Sequence, residues 1–460
     1  MRYISTSLIL IFLIRCSSWD EDNQNTQFLN DFIEEEISVE KTPLKLIKIN
    51  TYGKEIVDEP KISGFFQIFQ GNDLIEEHNI GIEIRGSSSQ YFPKKSYGFE
   101  TKNPSYTQDQ DESIGGFPSE EDWILYGPYT DKSLIRNKLV FDLSNSIGFK
   151  ASNTKFYNLF INEQNNGLYI LMEKIKRDVN RVNISQFDQN SDKGGFIVKI
   201  DKPTSEGANC NTCYNESFSF RSNYDTKGNI SDESEIYFIY HYPKPIDIND
   251  NQKKHIISTI NNFESILAED NFDLSENPNY LNFIDIDSFI DFFIVNELTK
   301  NIDGYRLSTF LHKDTSGKLK MGPIWDFNLS FGNADYCQGN SATGWGYKFN
   351  SVCPGDVWQV PFWWERLMES EYFKNRLKNR WQELRQVKLS NITINNIIDS
   401  HVEFLSNNNM INQNFIYWPI IGKWIWPNSF VGNTYEEEIT FLKEWIDRRL
   451  SWLDQHMGFL

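Results

Sequence analysis

The stretch that most narrows the fold of this chain runs from Asn301 to Asn328, NIDGYRLSTFLHKDTSGKLKMGPIWDFN. Tyr305 to His312 is rich in strand-forming residues, KDTSG is a turn sequence, and Lys318 to Trp325 reads as the returning strand. With the turn centred near Thr315, Tyr305 would face Trp325, and Asp303 and Asp326 would stand side by side at the open end. Directly paired residues in such a ribbon lie about 4.5–5.5 Å apart. Two carboxylates that close, one within the apolar context PIWDF, need a metal ion or a division of labour between base and metal ligand.

The flanking patterns predict an α+β chain with a β-rich front and a helical back. Leu44 to Glu100 is strand-rich, and IGIEIRG alternates cleanly. Ile135, Leu139, Leu143 and Ile147 recur every four residues from Lys132 on, which predicts a helix closed by Gly148. A second hairpin follows, KFYNLFIN, turn EQNNG, LYILMEK, and Gly194 to Lys202 is a further strand. Residues 203–235 are polar and read as an insertion loop. Helices resume near Asn251. A strong one, capped by Asp287, carries Phe289, Ile290, Phe293, Ile294 and Leu298 on one stripe and delivers the chain to Asp303. Pro361 to Leu460 is mainly helical, and its Trp and Leu spacing reads as packing.

With 460 residues, core size is not limiting. A net charge of −19 argues against general affinity for nucleic acid, so any phosphate ligand must be met by a local cluster of Lys and Arg. The 35 Phe, 21 Tyr and 13 Trp suit a packed core, with a sticky surface as the second reading.

Arg2 precedes an apolar run from Leu8 to Ile14, too short to span a membrane and suited to a secretory signal. Leu13-Ile14-Arg15-Cys16 resembles a bacterial lipobox with Cys16 lipidated, although Arg15 stands where a small residue is expected. Ordinary signal cleavage is the alternative. The expected organisation is a signal peptide over 1–16 and a tether over 17–40. An exported, lipid-anchored protein at the outer membrane or cell surface, or in the periplasm, follows. Four further thiols in an exported chain suggest two disulfides, Cys210 with Cys213 and Cys337 with Cys353. No neighbouring CxxC or His pair completes a zinc site.

The chemistry-bearing residues form two groups. Asp303 follows a helix end and Asp326 ends a strand, as where one acid orients an acceptor hydroxyl and another holds Mg²⁺ on phosphates. Asn301 and Asn328 add neutral oxygens. The plainer reading is that these acids cap a loop or pair with Arg306. The second group is Arg85-Gly86-Ser87-Ser88-Ser89 with Lys94 and Lys95, a Gly-Ser loop beside cations that offers N–H groups and hydroxyls to a phosphate. A solvated basic turn is its plainer reading. Glu173 is a candidate partner for Lys95, or a surface carboxylate beside Lys174. Arg136 serves a phosphate or a helix end. No Walker A motif, GxGxxG, HExxH or GxSxG is present.

Five ordered segments together resemble the CotH kinase family, named for a spore coat protein. They are IEIRGSSSQYFPKKSYGFE, DWILYGPYTDKSLIRNKLVFDLSNSIG, LFINEQNNGLYILMEKIKRDVNRVNI, GGFIVKIDK, and ELTKNIDGYRLSTFLHKD with MGPIWDFNLSFGNADY. The resemblance implies an atypical protein-kinase-like core over 41–345 and a helical part over 346–460 packed on it. It implies ATP and Mg²⁺ as cofactors, Asp303 as the catalytic-loop Asp, Asp326 as the metal Asp, and Lys95, or Lys94, as the nucleotide Lys with Glu173 as its partner. Asn328 stands where many members carry a second acid, and Ser308 where kinases place a metal-binding Asn. The function implied is phosphate transfer to hydroxyls of an unidentified surface or secreted protein. The alternative is a catalytically inactive surface module of the same fold.

Overall fold

The computed structural model describes residues 45–188, 194–273 and 276–457. Cys16, the signal peptide and the tether therefore lie outside the described residues. No helix among the described residues is long and apolar enough to cross a membrane.

The strand-rich front closes into a seven-stranded barrel. Its strands are β1 (Lys45–Asn50), β2 (Ile62–Gln70), β3 (Asp73–Arg85), β4 (Ser96–Lys102), β5 (Asp122–Tyr126), β6 (Thr154–Ile161) and β7 (Gln164–Glu173). They follow the order β1-β2-β3-β4-β5-β7-β6, and a parallel pairing of Leu46–Ile49 with Asn158–Ile161 seals the seam. Alternation sends Ile80 and Ile82 inward, where they pack with Ile47, Phe66, Phe99 and Trp123. Glu83 points the other way and pairs with Lys61 at 3.0 Å.

The turn expected over EQNNG is tighter than its sequence suggests. Ile161 pairs directly with Gln164, leaving only Asn162 and Glu163 in the turn, both with positive φ (48° and 64°). That is the two-residue hairpin geometry whose twist matches the strands. Asn162 Oδ1 also accepts from the Thr51 backbone N–H at 2.8 Å, tying the turn to the end of β1.

A second, antiparallel sheet has the order β12-β11-β8-β10-β9. It comprises β8 (Phe196–Ile200), β9 (Ser219–Arg221), β10 (Tyr237–Tyr242), β11 (Thr309–Lys313) and β12 (Lys320–Met321). The polar 203–235 segment thus contributes a strand to the sheet. Helices α1 (Arg136–Ser146), α2 (Asp250–Ala268) and α3 (Ile286–Thr299) pack against these sheets, and helices α4 (Phe349–Val352), α5 (Trp363–Glu369), α6 (Glu371–Gln386), α7 (Asn391–Asn407), α8 (Met410–Tyr417) and α9 (Tyr435–Met457) complete the back. One continuous apolar cluster runs from α1 through α3 to α9.

The helix before Asp303 starts two residues earlier than a cap at Asp287 would place it. Asp285 is its cap and accepts from Ser288 N at 3.1 Å. Asp287 sits in the first turn, where its charge favours the helix N-terminus, and pairs with Arg376. From Phe289 to Thr299 every residue except Asp291 is buried. At its end Glu297 and Arg449, both 0 % exposed, pair at 2.9 Å. Glu297 also accepts from Tyr305 OH and from the backbone N–H groups of Gly346 and Tyr347. This satisfied ion pair locks α9 to the chain leading into Asp303.

Both expected disulfides are formed. Cys210 and Cys213 lie 5.3 Å apart between Cα atoms, and Cys337 and Cys353 lie 5.6 Å apart.

Candidate active site

The hairpin between the two aspartates is shorter than its sequence suggests, and its register differs. Leu311 pairs with Met321 and His312 with Lys320, so an extended ladder would set Tyr305 against Phe327, not Trp325. The ladder stops well before the acids, because residues 301–307 coil into consecutive turns. Gly304 N donates to Asn301 O at 3.0 Å and Leu307 N to Asp303 O at 2.9 Å. A Cβ on Gly304 would meet Asn296 Oδ1 at 2.3 Å, which explains glycine there.

The two acids are joined instead by a side chain. Asn301 Oδ1 accepts from the Asp303 backbone N–H at 3.4 Å, and its Nδ2 donates to the Asp326 carbonyl at 3.2 Å. On the far side, Phe327 N donates to Asn137 Oδ1 at 2.9 Å. Asp326 is thereby held at φ +63°, a left-handed conformation. Such backbone strain costs on the order of 1–3 kcal/mol and concentrates at functional sites. Among the described residues, no donor reaches the Asp326 carboxylate.

Asp303 is pinned differently. Its Oδ1 accepts from Arg306 Nη2 at 3.0 Å, and Arg306 is 1 % exposed. Arg306 is itself fixed by Ile302 O, by Asp356 at 3.3 Å and by the Phe349 ring 4.0 Å away. The plainer expectation, a pair with Arg306, thus coexists with placement beside Asp326.

Burial first, then the charges of Asp303 and Asp201, push the Asp326 carboxyl up to about 7, while Arg85 and Lys202 pull it back. These five groups share one electrostatic neighbourhood. Arg85, at the end of β3, lies 5.5 Å from the Trp325 ring centre. Burial lowers its guanidinium's pKa, opposed first by the attraction of Asp326. Asp201 and Lys202 follow β8. Lys202 Nζ donates to Ser88 Oγ at 3.2 Å, and Ser87 Oγ lies 3.0 Å from Thr204 Oγ1. Burial and the charge of Asp303 raise the phenol of Tyr336, which stacks on Trp426 with ring centres 6.0 Å apart.

Arg85 and Asp303 therefore lie within electrostatic reach of Asp326, Asn301 bridges the two acids, and Ser87 sits on the loop that follows Arg85. Asn328 follows directly, with its carbonyl accepting from Asn333 Nδ2 at 2.8 Å. Lys95, Lys94 and Glu173 are engaged elsewhere. Lys95 Nζ donates to Gln90 O at 2.6 Å and Phe92 O at 2.8 Å, carbonyls of its own loop. Lys94 is buried and donates to Leu168 O and Asn414 Oδ1, both at 2.6 Å. Glu173 is buried, not a surface carboxylate, and accepts from Asn153 N at 2.8 Å. No ion pair joins it to Lys95 among the described residues. Arg136 opens α1 and pairs with Asp131 at 2.7 Å. Sequence reasoning missed Asp201 and Lys202; the available signal was their position at the end of the apolar strand FIVKI.

The donors suit a hard divalent cation. Mg²⁺ takes one or two carboxylates and leaves its remaining positions to water and phosphate. Asp326, a carboxylate with no donor among the described residues and within electrostatic reach of Asp303 and Asp201, fits that need. Among the described residues, the one trio of carboxylates within 4.8 Å of each other is Glu120, Glu121 and Asp122. It fits a metal poorly, because Lys176 already pairs with all three.

A solved structure with some similarity is that of the Helicobacter pylori proinflammatory kinase CtkA, at 12% identity and a TM-score of 0.29, covering 76% of this chain and 92% of that one. No curated protein matches the chain. The family described as CotH kinase protein matches residues 82–453, from within β3 to near the end of α9. The chain belongs to the CotH kinase family.

Proposed function

We propose that the Asp303–Asp326 cluster is the active centre of an atypical kinase that transfers the terminal phosphate of ATP to a hydroxyl of a surface or secreted protein. The observation that carries this reading is Asp326, held at φ +63° with no donor on its carboxylate among the described residues, within electrostatic reach of Asp303 and Arg85. Asp326 would hold Mg²⁺, with Asn328 and the amide oxygen of Asn301 as neutral oxygens nearby. When bound, that cation would offset the negative charge of the phosphates. Asp303, held rigid by Arg306, orients the acceptor hydroxyl towards the phosphate and receives its proton. Arg85 and the Ser87 loop meet the phosphates from the barrel side.

The N-terminal signal and Cys16 support an exported, lipid-anchored protein, with the acceptor outside the cytoplasm. The test is transfer of label from γ-labelled ATP to protein by the purified chain with Mg²⁺. Loss of incorporation in both Asp303→Ala and Asp326→Ala is expected; unchanged incorporation in either variant would exclude the reading.

A second reading, a non-catalytic surface module, is favoured by the Arg306 pair that already occupies Asp303 and by Asn328 in place of an acid. Calorimetry selects it if ATP with Mg²⁺ gives no heat while a cell-surface polymer retains the protein.

A further inference from the structure

The nucleotide site needs cations to offset a polyphosphate in a chain of net charge −19. The lysines that sequence singles out are occupied. Lys95 closes its own loop through two carbonyls, and Lys94 is sealed beneath α8 by Asn414. The ammonium group that lies on the Gly-Ser loop comes from the other sheet. Lys202, two residues beyond β8, donates to Ser88 Oγ at 3.2 Å and stands 4.7 Å over the Trp358 ring. Two residues later, Thr204 Oγ1 meets Ser87 Oγ at 3.0 Å.

The barrel and the second sheet are thus joined by two polar contacts, each ending on a hydroxyl of the loop that follows Arg85. The loop is shaped for this. Gly86 has φ +109°, and a Cβ there would meet Ser89 Oγ at 2.0 Å, so glycine sets the turn that presents Ser87 and Ser88. A hydroxyl–ammonium contact is readily exchanged for a phosphate oxygen, which accepts from both donors at once. The Trp358 ring beneath Lys202 makes a cation–π contact that fixes where the ammonium lies. Its charge also reaches Asp326, as does that of Arg85.

We propose that Lys202, with the hydroxyls of Ser87, Ser88 and Thr204, forms a polyphosphate clasp, and that this clasp makes the site prefer nucleoside triphosphates over monophosphates. The proposal rests on the kinase reading of the Asp303–Asp326 cluster. Lys202 and Arg85 bracket the phosphates from opposite sheets, and the affinity gained grows with the number of phosphate groups spanned.

The test is calorimetric titration of the whole exported chain with ATP, ADP and AMP in Mg²⁺. It compares the natural protein with Lys202→Met, Lys202→Arg and Ser88→Ala. Lys202→Met is expected to weaken ATP about tenfold or more, ADP less, and AMP by less than about twofold. Lys202→Arg should retain most of the preference, and Ser88→Ala should lose part of it. Equal weakening of all three nucleotides, or none, would overturn the clasp, provided thermal melting shows the variants folded. Inorganic tripolyphosphate separates this failure from failure of the kinase reading. Lys202-dependent binding of tripolyphosphate without any nucleotide binding keeps the clasp and removes the kinase. Binding of neither removes both.

Discussion

Asn301 bridges Asp303 and Asp326, with its amide nitrogen on the Asp326 carbonyl at 3.2 Å and its amide oxygen towards the Asp303 N–H at 3.4 Å. The spacing of the acids is therefore set by one buried amide and not by strand pairing. In the kinase reading, that amide holds the hydroxyl-orienting group and the metal ligand in register.

Asn301→Ala should consequently lower kcat about ten- to a hundredfold while changing KM for ATP little, because slight misplacement of reacting groups is costly. Steady-state kinetics with a fixed acceptor would check this. A variant whose KM rises while kcat holds would show that Asn301 binds nucleotide and does not position the acids.

The Glu297–Arg449 pair should dominate the stability of the helical back. Arg449→Met leaves a fully buried carboxylate without its cation, and loss of about 3–5 kcal/mol is expected by denaturant unfolding. Adding Glu297→Gln should recover part of it, since the uncompensated charge is then gone. A single variant as stable as the natural protein would contradict the role of this pair.

Glu264 gives the fold a pH dependence of known sign. Its carboxyl accepts from Ser222 Oγ and from Trp363 Nε1, yet burial pushes it up to about 7 from 4.5. The folded protein holds this proton more tightly than the unfolded chain. Its contribution is therefore full below about pH 4.5, declines as pH rises to about 7, and is flat above. The decline amounts to roughly 3 kcal/mol. Glu264→Gln should remove it, making the variant more stable than the natural protein near pH 8 but not near pH 4.5. Parallel stability profiles for the two proteins would refute this.

The proximity of Asp303 and Asp326 was legible in the sequence because each falls near the end of an apolar run, and apolar runs mark buried elements. Their convergence was readable; its cause was not. Strand alternation cannot show that Arg306 and Asn301 would coil the chain and end the ladder at Leu311. Barrel closure was equally hidden, since it depends on a parallel pairing of β1 with β6, segments far apart in sequence. Burial of Glu173 follows from that closure and from β5 beside it. Lys202 escaped notice because a single Asp-Lys pair after a strand has no spacing to betray it, and the polar residues beyond it read as an insertion.

The most direct measurement is equilibrium binding of ATP with and without Mg²⁺ to the natural chain, Asp303→Asn and Asp326→Asn, alongside label transfer by each. The account expects Asp303→Asn to keep Mg²⁺-dependent binding while losing transfer, and Asp326→Asn to lose both. Mg²⁺-dependent binding that survives in Asp326→Asn, or transfer that survives in Asp303→Asn, would contradict the division of roles between the two aspartates.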